Sequence, residues 1–238
     1  MLRLILAALL LAAPSAAQAQ PQAQACREAL ALGLDVSGSV DDAEYTLQVE
    51  GLARALDHPE VRAALFALPQ APVRLMVYEW SGPQDQRILA PWAEIDSPAA
   101  LASFQARLRG ARRQAMDPST AIGPALRFGA AALAEQPGCW RRVLDLSGDG
   151  QHNTGPHPGG VAMGDVTVNG LVIGPGARVA ALSAYFRAYV LRGPDAFTET
   201  ALGFADFEAA MARKLLRELQ ILPVATLPPR PRAGRQPH

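Results

Sequence analysis

Apolar residues in this chain follow two alternating rhythms, short unbroken runs and longer stretches striped at steps of three and four. The runs are "EALALGLD" (28–35), "PVRLMVYEWS" (72–81), "RILAPWAEI" (87–95), "RRVLDLSG" (141–148), "VTVNGLVIG" (166–174) and the weaker "AFTETA" (196–201). Each reads as a strand, the more apolar ones as strands buried on both faces. Pro91 inside the third run argues for an edge position, where a missing N–H breaks no ladder. The stripes read as helices. Tyr45, Val49, Leu52 and Leu56 follow the acids of 41–44, which suit a positive helix start. Ser97 and Pro98 open the stretch 97–111 as cap and first helical residue. Ile122, Leu126, Gly129 and Leu133 share a face of 119–136, and Leu182, Phe186, Tyr189 and Val190 stripe another segment. Phe207, Met211, Leu215 and Leu219 point inward from 204–220, while Asp57 and Glu60 read as a helix-ending turn. Six strands alternating with helices predict a doubly wound α/β fold, its mainly parallel sheet covered on both faces.

The ends of the chain stand apart from this pattern. Arg3, the apolar run from Leu4 to Ala13 and "AQA" at 17–19 have the three-part plan of a secretory signal, so residues 1–19 are expected to be cut away. The run falls short of the ~20 residues a spanning helix needs, and the expected product is exported, to a periplasm or beyond, with no membrane span. The expected domain covers 26–220; the tail 221–238 is rich in proline and arginine without periodicity, and reads as disordered. Lys plus Arg and Asp plus Glu number 22 each, a balance that argues against a nucleic-acid partner.

Candidate chemistry begins where the first strand should end. In extended chain, residues i, i+2 and i+4 face one way, so Asp35, Ser37 and Ser39 would offer a carboxylate and two hydroxyls together. Thr120 opens a later helix and Asp149 follows a later strand. In such sheets ligands bind beyond the carboxyl ends of the strands. Oxygen donors with few carboxylates suit a hard divalent cation, magnesium first, with manganese or calcium as alternatives.

D-x-S-x-S, then Thr opening "TAIGPAL", then Asp-Gly after a strand resembles the metal-ion-dependent adhesion site of von Willebrand factor A domains. "LDVSGSVD", "LSGDGQHN", "TVNGLVI", "GPDAF" and "FADFEAAMARKLLREL" resemble, more narrowly, an exported bacterial family of that type whose function is unknown. The resemblance implies an antiparallel edge strand third in sequence. It implies hydroxyl ligands from Ser37, Ser39 and Thr120, with Asp35 and Asp149 binding directly or through water, and one metal position left for a carboxylate from a protein partner. One departure concerns the segment between Asp149 and Val166, where such domains carry a helix and "GPHPGGVAMGD" has too many Gly and Pro to make one.

Other readings compete with this one. Ser37, Ser39 and Asp41 could simply cap the next helix, which would leave Thr120 and Asp149 unexplained. "DLSGDG" imitates the start of an EF-hand loop, but Pro156 stands where its bidentate Glu belongs. His152 and His157 lack clustered partners for zinc, and Asp145 is expected to face a neighbour within the strand region. No nucleophile motif or phosphate loop is present. A metal-dependent hydrolase would need a base and an anion-binding arginine, for which Arg112, Arg113 and Arg141 are candidates, and a structural domain with a vacant site is the third reading. Cys26 lies nine residues before Asp35 and Cys139 ten before Asp149. If their strands are parallel neighbours with metal-binding ends level, the cysteines are level too and expected to form a bridge.

Overall fold

All ten residues of the first strand, β1 (Cys26–Asp35), are buried, as its apolar run requires. The structure is a computed structural model and describes residues 25–220; the expected export signal and the tail lie outside them. β2 (Val73–Trp80) and β4 (Cys139–Gly148) flank β1 in parallel, β5 (Thr167–Ile173) and β6 (Thr198–Ala201) extend the sheet, and β3 (Gln86–Ile95) runs antiparallel to β2. The order is β3-β2-β1-β4-β5-β6. Along β3 the register steps from Leu75 opposite Ala93 to Val77 opposite Ala90. Pro91 therefore sits in a bulge of an edge strand, where its lack of an N–H is harmless.

α1 (Asp42–Asp57), α2 (Pro59–Leu65), α3 (Pro98–Arg109) and α6 (Phe207–Leu219) pack on one face, against Leu30, Leu32 and Leu34 of β1. α4 (Ile122–Ala134) and α5 (Gly176–Tyr189) cover the other, over Ala29 and Ala31. Fully burying one of these leucines contributes roughly 1.5–3 kcal/mol. Asp41 and Glu44 close a reciprocal capping box on α1, at 2.8 and 2.9 Å. The cap thus falls to Asp41 alone and both serines stay free.

Two segments depart from the pattern read along the chain. Past Asp57 the chain breaks only at His58, and Pro59 starts the short helix α2, which buries Val61 and Leu65. The link from β4 to β5 forms no α-helix, only a 3-10 turn at Pro158–Gly160. Its apolar residues still cover the sheet face, since Met163 and Val166 are buried in the core beneath α4 and α5. Gly123 makes this packing feasible, because a Cβ there would stand 1.8 Å from the carbonyl oxygen of Pro156.

Cys26 and Cys139 are register partners and form a disulfide with a Cα–Cα distance of 4.4 Å. Further along the same strands, Asp145 meets a buried cation. Lys214 Nζ lies 2.8 Å from Asp145 Oδ1 and 2.5 Å from Glu218 Oε1, with all three side chains no more than 1% exposed. Asn169 donates a further bond to Glu218 Oε1 at 2.8 Å. Burial alone would lower the Lys214 ammonium, but the two carboxylates outweigh it and hold it up. One ammonium cannot neutralise two acids in a dry site, so burial drives Asp145 upward despite Lys214.

Lys214→Met should lower stability by ~3–5 kcal/mol in chemical denaturation, because it strands two buried carboxylates. Restoring Asp145→Asn and Glu218→Gln in the same chain should recover most of that loss.

A pH dependence follows from Glu28. Burial first, and the nearby Glu218 with it, push its carboxyl up to about 7 against the pull of Arg141 and Arg27. In the unfolded chain it ionises near 4.5, so between these values the folded state holds the extra proton. Stability should therefore fall as pH rises from about 5 to about 7 and level off above. Denaturant midpoints of chelator-treated protein measure this, and Glu28→Gln should reduce the slope, leaving the share that the raised carboxyls of Asp35 and Asp145 contribute.

Candidate metal site

The register of β1 and β4 sets the site. Leu34 pairs with Ser147, so Asp35 comes level with Gly148 and Asp149 emerges one residue beyond. A Cβ on Gly148 would lie 3.1 Å from Asp35 Oδ2, a measure of how closely the two strand ends approach. Gln48 of α1 braces this end, donating to the Asp35 carbonyl at 2.9 Å and accepting from Ser147 Oγ at 3.1 Å.

After Asp35 the chain turns instead of staying extended, and Val40 N donates to the Ser37 carbonyl at 3.0 Å. The oxygens nevertheless converge, through the turn and not through strand alternation. Ser37 N donates to Asp35 Oδ1 at 2.9 Å, the Ser37 and Ser39 hydroxyls stand 3.3 Å apart, and Ser39 Oγ donates to Asp149 Oδ1 at 2.6 Å. Gly38 allows the turn to dock, since its N–H bonds the Pro118 carbonyl at 2.8 Å and a Cβ there would meet Pro118 Cβ at 2.8 Å.

Thr120 lies beside this group without a hydrogen bond to the other four residues. Its hydroxyl oxygen would be 3.6 Å from a Cβ on Gly150, next to Asp149. It is no helix cap either: α4 starts from Ala121 with no side-chain cap. What holds Thr120 is Asn153, which the sequence reading missed. Asn153 Oδ1 accepts from Thr120 N at 2.9 Å and its own N–H donates to the Thr120 carbonyl at 3.0 Å. An Asn that turns a loop back onto a neighbouring segment leaves no periodic signal in sequence.

Asp35, Ser37, Thr120 and Asp149 are buried, whereas Ser39 is exposed. Asp35 Oδ2 has no hydrogen-bond partner despite full burial. Burial, and after it the Asp149 carboxylate, push the Asp35 carboxyl up to about 7 against hydrogen bonding from Ser37 and from the main chain of Asp149. Such an oxygen, with a second carboxylate and free hydroxyls around it, fits a divalent cation in charge and in donor type. Among the described residues no group of three or more His, Cys, Asp or Glu is placed to hold a metal. A nitrogen, sulfur or carboxylate-rich centre is thus not what these residues form; two carboxylates with hydroxyls is a different donor set.

The other candidates lie elsewhere. His152 bonds the Gly155 carbonyl, and His157 accepts from Gly159 N while stacking edge-on against Tyr189 at 5.0 Å. Arg141 sits at the opposite end of the sheet, 3.2 Å from Glu28 Oε2, and Arg113 pairs with Asp42 at 3.3 Å. Arg112 bonds carbonyls of its own segment, at Arg109 and Ala111. The arginine beside the site is Arg178 of α5, whose Nη2 donates to the Asp149 carbonyl at 3.2 Å. Its place just after the carboxyl end of β5 was the available signal.

This fold recurs in solved structures. Proximal thread matrix protein 1 from the mussel byssus, with a zinc-occupied MIDAS motif, superimposes with a TM-score of 0.57 at 15% identity, over 82% of this chain and 48% of that one. A von Willebrand factor type A protein from Catenulispora acidiphila gives 0.55 at 12%, over 82% and 43%. The pilus adhesin SpaC from Lactobacillus rhamnosus GG, in its open conformation, gives 0.54 at 14%, over 83% and 31%. The chain thus spans less than half the length of each. No curated protein matches it at a significant level. The architecture is that of a von Willebrand factor A domain. Within that class, the chain belongs to the family described as protein of unknown function (DUF1194), whose model matches residues 25–223.

Asn153→Ala should cost ~1–3 kcal/mol by denaturation, the range for a buried donor left without its partner. Asn153→Asp keeps the acceptor and should recover most of that loss.

Proposed function

We propose that this protein is an exported binding module, not an enzyme. It holds a divalent cation, magnesium first, through Asp35, Ser37, Ser39, Thr120 and Asp149, and recognises a carboxylate on a protein partner. The observation that carries the reading is the buried, partnerless Asp35 Oδ2 beside a second acid. A cation relieves both the desolvation of Asp35 and its repulsion by Asp149. The zinc-occupied MIDAS of the mussel protein supports a divalent ion in a fold of this kind, and the pilus adhesin supports a binding role. The disulfide supports an oxidising compartment. Among the described residues no helix is long and apolar enough to cross a membrane.

The chain's own residues have distinct tasks in this reading. Asp35 and Asp149 supply the charge, and three hydroxyls supply neutral oxygens, so the ion keeps most of its charge. Gln48 and Ser147 fix Asp35 from below, and Asn153 fixes Thr120. When bound, the ion supplies an electrophile that attracts an added carboxylate, which a shell full of acids would repel.

Magnesium at a hundredfold excess over its Kd should stabilise the wild-type protein by ~2.7 kcal/mol. Asp35→Ala should abolish that shift and Ser37→Ala should weaken it. Equal magnesium binding by wild type and Asp35→Ala in calorimetry overturns the site. Phosphoester or peptide hydrolysis by the purified protein, lost in Asp149→Ala, overturns the binding function in favour of an enzyme.

A further inference from the structure

A small cavity of about 130 Å³ adjoins the oxygen cluster, lined by Asp149, Gly150, Gln151, Arg178, Ala181 and Leu182. Asp149 belongs to both places. Its side chain accepts from Ser39, and its main-chain carbonyl accepts from Arg178. That bond uses one of the five guanidinium N–H donors and leaves the rest for a ligand. Arg178 is exposed and pairs with no carboxylate among the described residues. It also lies in the first turn of α5, whose positive end adds to its field. Ala181 and Leu182 carry no charge, and the one carboxylate of the lining, Asp149, is a ligand of the cation in the reading above.

We infer that this cavity is a second carboxylate subsite, and that the recognised element carries two neighbouring acids. One goes to the metal and the other to Arg178, whose planar fork matches a carboxylate. The inference rests on the metal-dependent reading above.

Acetate and glutarate separate the two sites. Calorimetry on the magnesium-loaded protein should show glutarate binding at least tenfold tighter than acetate. In Arg178→Gln the ratio of glutarate to acetate affinity should fall to about one, and Arg178→Lys should restore part of it. Retained magnesium binding also reports that the variant is folded. If wild type binds magnesium and acetate but shows no preference for glutarate, the second subsite is wrong and the metal reading stands. A preference that survives in Arg178→Gln means both acids reach the ion and likewise overturns the subsite. Absence of magnesium binding overturns the metal reading and the subsite with it.

Discussion

The parallel pairing of β1 with β4 is the constraint on which the rest depends. Both strands lie in the middle of the sheet, and their register is fixed at one end by the Cys26–Cys139 bridge. Because that register is carried without a bulge to Leu34 and Ser147, the other end is fixed as well, about 30 Å away at ~3.3 Å per residue. A slip of one residue would turn Leu30, Leu32 and Leu34 toward the wrong core and part Asp35 from Asp149. One pairing thus decides core and site together. The bridge also closes a loop across a sequence separation of 113 residues, which in the chain-entropy model stabilises by ~4–5 kcal/mol.

The same two strands carry two clusters of buried acid, and the clusters are resolved differently. In the middle of β4, Asp145 and the nearby Glu218 receive the ammonium of Lys214, supplied by α6. Four residues on, Asp149 and its neighbour Asp35 receive hydroxyls and main-chain N–H groups, and no side-chain cation of the described residues reaches their carboxylates. Burying an acid without a cation is expensive wherever it occurs. The fold provides the cation internally at one place and supplies none at the other. This contrast, more than the oxygen count, is what supports the proposed metal site over a purely structural role for Asp35 and Asp149.

The legible part of the sequence was whatever repeats or pairs locally. Six apolar runs gave six strands, Pro91 marked the edge, and Ser97 capped α3. The offsets of the cysteines from Asp35 and Asp149, nine and ten residues, differ by one and anticipated the bridge. Asp35, Ser37, Ser39, Thr120 and Asp149 read together as one motif, but strand alternation, which accounts for the serines in the sequence, gives way in the structure to a turn. Contacts made across the fold were not legible. Lys214 lies seven residues after Phe207 and so shares its inward face of α6, but nothing in the sequence names its partners until α6 is laid over β4. Asn153 bonds main-chain groups only, and Gln48 bonds the Asp35 carbonyl as well as Ser147 Oγ; any residue type presents such main-chain groups, so little at the partner positions announces these contacts. α2 was missed because Asp57, His58 and Pro59 are ordinary helix-stop residues, and Pro59 is equally at home as a first helical residue.

The link between β4 and β5 shows how a sheet face can be covered without a helix. A parallel crossover normally uses one because a helix satisfies its own backbone. Here the loop satisfies its backbone piecemeal: Asn153 pairs with Thr120, His157 accepts from Gly159 N, and Arg192 donates to the Pro158 carbonyl at 3.0 Å. Thr120 precedes α4 and Arg192 follows α5, so two of these bonds tie the loop to neighbouring segments, while Gly159 lies within the loop itself. Gly123 of α4 and Gly155 of the loop, at a φ of +81°, permit the close approach of the loop to α4. It follows that the loop positions Thr120 relative to Asp149 directly, from within the site's own rim, and that its composition belongs to the site as much as the oxygen donors do.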